Sequence, residues 1–281
     1  MKPGGKTKAT TARPAARRQS GLRHDAMPVA MTIAGSDSGG GAGLQADLKT
    51  FNRLGVFGTT AVTCVTAQNP SAVKAVAAIP SRVVSLQIRM IRDAFPVAAT
   101  KTGMLYSADI IKAVARAVRE LRITPLVVDP VMVATSGARL LRMDAIHALC
   151  DELLPLASVV TPNIPEAELL ANCTIASRFD MQLAAEWIGR QWNVPVVVKG
   201  GHMKDKVLAN VLYDRGAMHV FECPRVKTKS THGTGCTFSA AIAALLARGH
   251  GLPAAVEEAG LFTANAVAMS LRVGRHMALN P

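Results

Sequence analysis

From residue 27 onward, short apolar runs alternate with segments whose apolar residues recur at helical spacing. Runs at residues 28–34, 59–67, 97–101, 126–129, 157–161 and 194–199 read as strands, several of them β-branched and continuously apolar. Between them, Leu44, Leu48, Phe51 and Leu54 would line one face of a helix. Further helices are expected at 81–95, with Ser81 as N-cap, and at 108–121, 143–154, 166–171, 181–190, 233–248 and 253–271. Residues 207–213 and 217–222 read as a hairpin turning at 214–216. Strand and helix in regular alternation predict a mostly parallel sheet covered on both faces, a three-layer α/β/α domain spanning 27–281. No internal repeat or long linker divides it.

Ligands of such sheets bind at the carboxyl ends of the strands. The glycine-rich and polar segments 35–43, 67–70, 101–104, 129–132, 161–166 and 199–202 all fall at strand ends, so they should share one rim.

Composition narrows the picture. Apolar residues make up 49% and aromatics 4%, so the core is aliphatic. No apolar stretch reaches membrane-spanning length. Five dispersed cysteines without C-x-x-C spacing argue for a reducing, cytoplasmic setting and against a disulfide framework or zinc site. The net charge is +13, but residues 1–25 alone hold seven basic side chains and one acid, leaving +7 for the rest. That first segment is poor in large apolar residues and is expected to be a disordered basic extension (1–26). It is acid-poor like a transit peptide but lacks an amphipathic pattern. The remaining charge suits a phosphate-rich ligand and does not demand a nucleic acid.

The strongest chemical signal is Ser230-Thr-His-Gly-Thr-Gly-Cys236, leading into an alanine-rich helix. Gly233 and Gly235 permit a tight turn that leaves amide N–H groups free at a helix N-terminus, an anion site. Cys236 would stand at the positive end of that helix, where a thiol is expected to be acidified and able to take a proton. The plainer reading is a small residue packing a helix start. The earlier loop contains Gly41-Ala-Gly-Leu-Gln-Ala46, a match to the dinucleotide pattern. The acid that should follow some twenty residues later is missing, and no Walker A motif occurs. Close approach of a small flat ligand explains the glycines better, with Asp47 and Gln68 to fix its hydrogen-bonding edge. Asn163 and Glu166 stand three apart. They would hold a hydrated Mg²⁺ among phosphates, or serve only as a helix start with Pro165 at its first position. Lys199, at a strand end beside two glycines, is a natural phosphate contact or a lysine reaching solvent. Asp129 is placed to approach the metal or a phosphate.

With these residues in view, the chain resembles the bifunctional hydroxymethylpyrimidine and phosphomethylpyrimidine kinases of thiamine biosynthesis, in the ribokinase-like superfamily. The resemblance rests on Thr32-Ile-Ala-Gly-Ser-Asp37, Gly40-Gly-Ala-Gly-Leu-Gln-Ala-Asp-Leu-Lys-Thr-Phe51, Val65-Thr-Ala-Gln-Asn69 and Lys101-Thr-Gly-Met-Leu105. It continues through Val128-Asp-Pro-Val-Met132, Thr161-Pro-Asn-Ile-Pro-Glu-Ala167, Val198-Lys-Gly-Gly-His202 and Thr231-His-Gly-Thr-Gly-Cys-Thr-Phe-Ser239. It implies ATP with Mg²⁺ and two successive phosphorylations, first of 4-amino-5-hydroxymethyl-2-methylpyrimidine and then of its monophosphate. It implies a pyrimidine site lined by Gly35, Asp47, Gln68, Met104 and Val131. ATP phosphates would lie on Lys199, Thr231, Gly233, Thr234 and Gly235, with the metal at Asn163, Glu166 and Asp129. Cys236 takes the position where many superfamily members carry an aspartate base. The C-terminal Val273-Gly-Arg-His-Met-Ala-Leu-Asn-Pro281 departs from the family's glycine-rich tail. A pyridoxal or pyridoxine kinase is the nearest alternative, with Gln68 as the discriminating amide. A nucleic-acid binder would need arginines and aromatics on the rim, which are scarce there, and a catalytically silent ligand-binding regulator is a third reading. A homodimer is compatible with the sequence, and no nucleic-acid or membrane partner is expected.

Overall fold

The computed structural model describes Met1 and residues 26–132, 141, 143–203, 207–226 and 232–281. Nearly all of the basic extension, and Lys227, Lys229 and Thr231 beside the glycine turn, lie outside the described residues.

A nine-stranded sheet runs through the molecule. Its strands are β1 (Val29–Asp37), β2 (Phe57–Asn69), β3 (Ala72–Ala78), β4 (Val97–Thr102), β5 (Leu126–Val128), β6 (Val159–Val160), β7 (Val196–Lys199), β8 (Val207–Asp214) and β9 (Ala217–Pro224). Their spatial order is β3-β2-β1-β4-β5-β6-β7-β8-β9. The six neighbouring strands β2, β1, β4, β5, β6 and β7 are parallel, while the edge pairings β3–β2, β7–β8 and β8–β9 are antiparallel. The central strands read as apolar on both faces because both faces are covered.

One face carries α2 (Ser81–Ala94), α3 (Ala108–Glu120), α4 (Met143–Ala148), α5 (Ile164–Ala171) and α6 (Arg178–Trp192) over an aliphatic core that includes Ile33, Ile88, Ile111 and Val198. The other carries α1 (Gly43–Arg53), α7 (Thr234–Ala247) and α8 (Leu252–Ala268). Helix α7 is buried without interruption from Thr237 to Leu245, which explains its run of alanine. Small side chains let it lie close to the sheet and to α8 at once. This is the three-layer α/β/α arrangement that the alternation predicts.

Several local expectations are revised. Ser81 is not a cap: Pro80 holds that position, and no side chain bonds the first turn of α2. Strand β5 closes at Val128, leaving Asp129 just beyond it. The helix expected over 143–154 is α-helical only to Ala148 and then widens through Leu149–Leu153. Helix α8 stops at Ala268, and Leu271–Val273 pairs instead with His276–Ala278 as a small ribbon, β10–β11. Strand β3 is exposed along almost its whole length, so it has no inside–outside alternation for a pattern to reveal. The β8–β9 turn holds Arg215 and Gly216 at φ 48° and 95°, the two positive values that suit a tight hairpin.

Candidate active site

The rim at the carboxyl ends of the parallel strands and the layer just beneath it gather two glycine turns, two lysines and four acids. Gly233 is the N-cap residue of α7 at φ 86°, and a Cβ there would lie 1.9 Å from the Gly41 carbonyl oxygen. Glycine is therefore demanded twice, by the left-handed backbone and by contact with the other turn. Gly43, at φ 57°, is constrained likewise, since a Cβ would stand 2.4 Å from the Gly35 oxygen. Asp37 organises the first turn: its carboxylate accepts from Gly39, Gly41 and Ala42 N–H groups at 2.8–3.1 Å. These bonds and His232 outweigh burial, which works the other way, and hold its carboxyl below the ordinary value.

Lys199, at the end of β7, bonds Asp129 Oδ1 at 2.9 Å, and its Nζ lies 3.5 Å from where a Gly235 Cβ would sit. That is ordinary contact distance, so an alanine at Gly235 would rest against the ammonium without a clash. Ser239 Oγ, one turn along α7, reaches the other Asp129 oxygen at 3.0 Å. Beside this cluster opens a cavity of about 330 Å³. Its lining includes polar Asn163, Lys199 and Thr234, with Gly235, and apolar Leu208, Phe238 and Val267. A cavity lined by both apolar side chains and a lysine fits a flat base carrying phosphates.

Asn163 and Glu166 form a reciprocal capping box at the start of α5, each side chain accepting from the other's backbone N–H at 2.9 Å. The remaining Glu166 oxygen accepts from Met132 N at 3.0 Å, and Glu166 is only 1% exposed. Burial, more than the neighbouring Asp129, raises its carboxyl, with Lys199 and the backbone bonds acting against it. The helix-start reading is thus the geometry seen, and Glu166 offers no free oxygen. Asn163 still lines the cavity, close to the Lys199–Asp129 pair. Among the described residues no group of three or more His, Cys, Asp or Glu gathers to hold a metal ion, so the Asn163 and Asp129 oxygens fit only a cation held through its own water, as Mg²⁺ can be.

Two expectations about proton chemistry change. Asp47 does not present a hydrogen-bonding edge: it is fully buried, with Oδ1 on Lys101 Nζ at 2.7 Å and Oδ2 on Thr32 Oγ1 at 2.6 Å. Burial, with the Asp129 charge adding to it, pushes its carboxyl up against the lysine and the hydroxyl. Lys101 is also fully buried, and that burial works against its charge, but Asp47, Cys236 and Asp129 together outweigh it and keep the lysine protonated. The 2.7 Å contact is an ion pair. Cys236, in turn, is not acidified by its helix. Burial pushes its thiol up to about 11, Asp47 and Asp129 add to the rise, and Lys101 and the Gly43 N–H oppose it. Burial first, and the Asp47 and Asp129 charges after it, outweigh the helix dipole.

The other expected pocket residues are partly gathered. Gly35 lies beside Met104 and Cys64, where a Cβ would stand 3.8 Å from Met104 Cβ. Thr63 Oγ1 ties the Met104 carbonyl to β2 at 2.7 Å. Gln68 is held through its backbone by Ser38, and its side-chain amide is left without a partner among the described residues. Val131 has φ 44°, a left-handed backbone unusual for a β-branched residue, on the segment between Asp129 and the Met132–Glu166 bond. Sequence reasoning assigned no role to Lys101, Ser239, Asp37 or His232. Lys101 had a visible signal, a charge inside an otherwise uncharged strand.

Comparison with known proteins agrees with this geometry. The phosphomethylpyrimidine kinase family model matches residues 37–280. A hydroxymethylpyrimidine/phosphomethylpyrimidine kinase of Haemophilus influenzae is 45% identical over 249 residues, covering 87% of this chain and 93% of its own length. Among solved structures, an ADP complex of Bacillus subtilis pyridoxal kinase superposes with TM-score 0.83 at 39% identity, covering 89% of this chain and 95% of that one. A phosphomethylpyrimidine kinase from Clostridium difficile superposes with TM-score 0.76 at 36% identity, over 85% and 99% of the two chains. The neighbours share the ribokinase-like fold.

Proposed function

The chain belongs to the phosphomethylpyrimidine kinase family, and from that premise we propose that it phosphorylates 4-amino-5-hydroxymethyl-2-methylpyrimidine with ATP, then phosphorylates the product again, in thiamine biosynthesis. The observation that carries the reading is the meeting of the Gly233–Gly235 turn, Lys199 and the 330 Å³ cavity at one rim of a chain with this family match.

In this reading the nucleotide base enters the apolar part of the cavity, and its phosphates meet Lys199, Gly233, Thr234 and Gly235, with Thr231 adjoining. Backbone N–H groups at the start of α7 and the Lys199 ammonium offset charge on the transferred group, which is most of what phosphoryl transfer asks of a protein. Bound Mg²⁺ would neutralise phosphate charge, held through water by Asn163 and Asp129, with Glu166 fixing the loop that presents them. The pyrimidine lies among Gly35, Gln68, Met104 and Val131, where the free Gln68 amide can both donate to and accept from an aminopyrimidine edge. Asp47 supports that pocket from beneath. Cys236 receives the proton of the attacking hydroxyl, and since its resting form is the thiol, the active form is a minor thiolate.

The pyridoxal kinase neighbour keeps pyridoxal as the second substrate to test. Purified protein with ATP, Mg²⁺ and either compound, followed by a count of phosphates on the product, decides the matter. A diphosphate from the pyrimidine is expected. Turnover of pyridoxal alone would overturn the substrate assignment. The family reaction needs no nucleic acid or membrane, and among the described residues no helix is long and apolar enough to cross one. A homodimer in the cytoplasm is the assembly and setting we propose.

A further inference from the structure

Beneath the transfer site lies a buried pair that the reaction described above leaves unused. Lys101 and Thr32 are registered neighbours on β4 and β1, and both side chains reach Asp47 on α1. Gly43 and Asp47 are one turn apart on α1, and the Gly43 N–H points at the Cys236 sulfur. The sulfur is thus bracketed by the first turns of α1 and α7, and the Lys101–Asp47 pair sits one turn further in. Gly103 leaves the room: a Cβ there would lie 3.2 Å from Lys101 Nζ.

Burying an ammonium and a carboxylate together costs several kcal/mol of hydration, and apolar residues of similar volume often serve stability as well or better. Lys101 is also under-used as a structural group. It has three N–H donors, and Asp47 is its hydrogen-bond acceptor among the described residues. A stability role alone explains neither the choice of a lysine nor its place under the cysteine.

We propose that Lys101 is a positioning residue for phosphoryl transfer, the buried cation that offsets charge developing at the Cys236 sulfur while Asp47 holds it in place. The other charged groups facing this recess are Asp129, beyond β5, and Lys199, on β7. These two are paired with each other as Lys101 is with Asp47, and of the two lysines Lys101 is the one tied to α1, whose first turn meets the sulfur. The inference deepens the function proposed above and rests on it for the identity of the step.

The test compares Lys101→Met, Lys101→Arg and the double variant Lys101→Met/Asp47→Leu. The double variant leaves no orphaned buried charge, so it decides the question even if Lys101→Met alone fails to fold. It should melt as a folded protein and keep its KM for ATP, while kcat falls about 100-fold, the scale of a lost proton-transfer partner. Alkylation of Cys236 by iodoacetamide at neutral pH, followed by peptide mass mapping, should slow about tenfold, because reactivity follows the thiolate fraction. Lys101→Arg should recover part of both. A folded double variant with near wild-type kcat, or with unchanged Cys236 alkylation, would overturn the proposal. Alkylation requires no substrate, so a wild-type protein inactive on the pyrimidine would refute the proposed function while this inference is still being read.

Discussion

His232 Nε2 stands 3.2 Å from Asp37 Oδ2, and this contact spans 195 positions to join the two glycine turns of the site. The same Asp37 oxygen accepts from Gly41 and Ala42, so one carboxylate shapes the first turn and holds the second against it. The turns also touch directly, through Gly233 and the Gly41 carbonyl.

Asp37→Asn should therefore lower stability by about 1–3 kcal/mol, since buried N–H donors lose a charged acceptor. Its pH signature follows from the depressed folded-state carboxyl. Stability from Asp37 is present above the ordinary value of 3.8 and is lost as pH falls through the lower folded value. Wild type should lose melting temperature on acidification across that window more steeply than the variant. Parallel acid profiles would show that Asp37 contributes nothing of the kind.

Gly233→Ala places a methyl group into the Gly41 carbonyl and forces a left-handed backbone on alanine, which by itself costs about 1–2 kcal/mol. The two turns must part, so kcat should collapse together with ATP affinity. Near-normal kinetics in a folded Gly233→Ala protein would mean that the contact between turns is dispensable.

A thiol pushed up to about 11 has a kinetic consequence. If Cys236 takes the proton as thiolate, kcat should climb with pH toward that value, by up to about tenfold per unit where the chemical step limits the rate. Cys236→Ala should bind ATP normally, lose about 100-fold or more in kcat and lose this slope. A flat profile between neutral and mildly alkaline pH, with chemistry limiting, would remove the base role and leave Cys236 as part of the phosphate cradle.

Gln68 carries the substrate assignment. Gln68→Ala should raise KM for the pyrimidine about tenfold, the scale of one well-placed hydrogen bond, with KM for ATP unchanged. An unaltered pyrimidine KM would take Gln68 out of the pocket.

Glu166→Gln tests the metal reading apart from the helix cap. The amide retains an acceptor for one backbone N–H but cannot accept at both ends, so the loop bearing Met132 should loosen. A higher Mg²⁺ concentration for half-maximal rate is expected, with a modest loss of stability. Loss of stability at unchanged Mg²⁺ dependence would leave only the capping role.

By itself the sequence determined the alternation of strands and helices, the rim where the loops meet and the glycine turn at the start of α7. Each depends on spacing within a few residues, where periodicity, turn geometry and helix-terminal N–H groups act. Even the ambiguity at Asn163 and Glu166 was legible, because a capping box is a local object. Only the tertiary structure decided the charges. Lys101 and Asp47 are 54 positions apart, and their pairing takes Asp47 off the pocket wall. The Cys236 thiol rises because burial and carboxylates from α1 and the end of β5 outweigh the dipole of its own helix. Burial and through-space charge depend on what the fold brings alongside a residue, and no local pattern around Asp47 or Cys236 contains that.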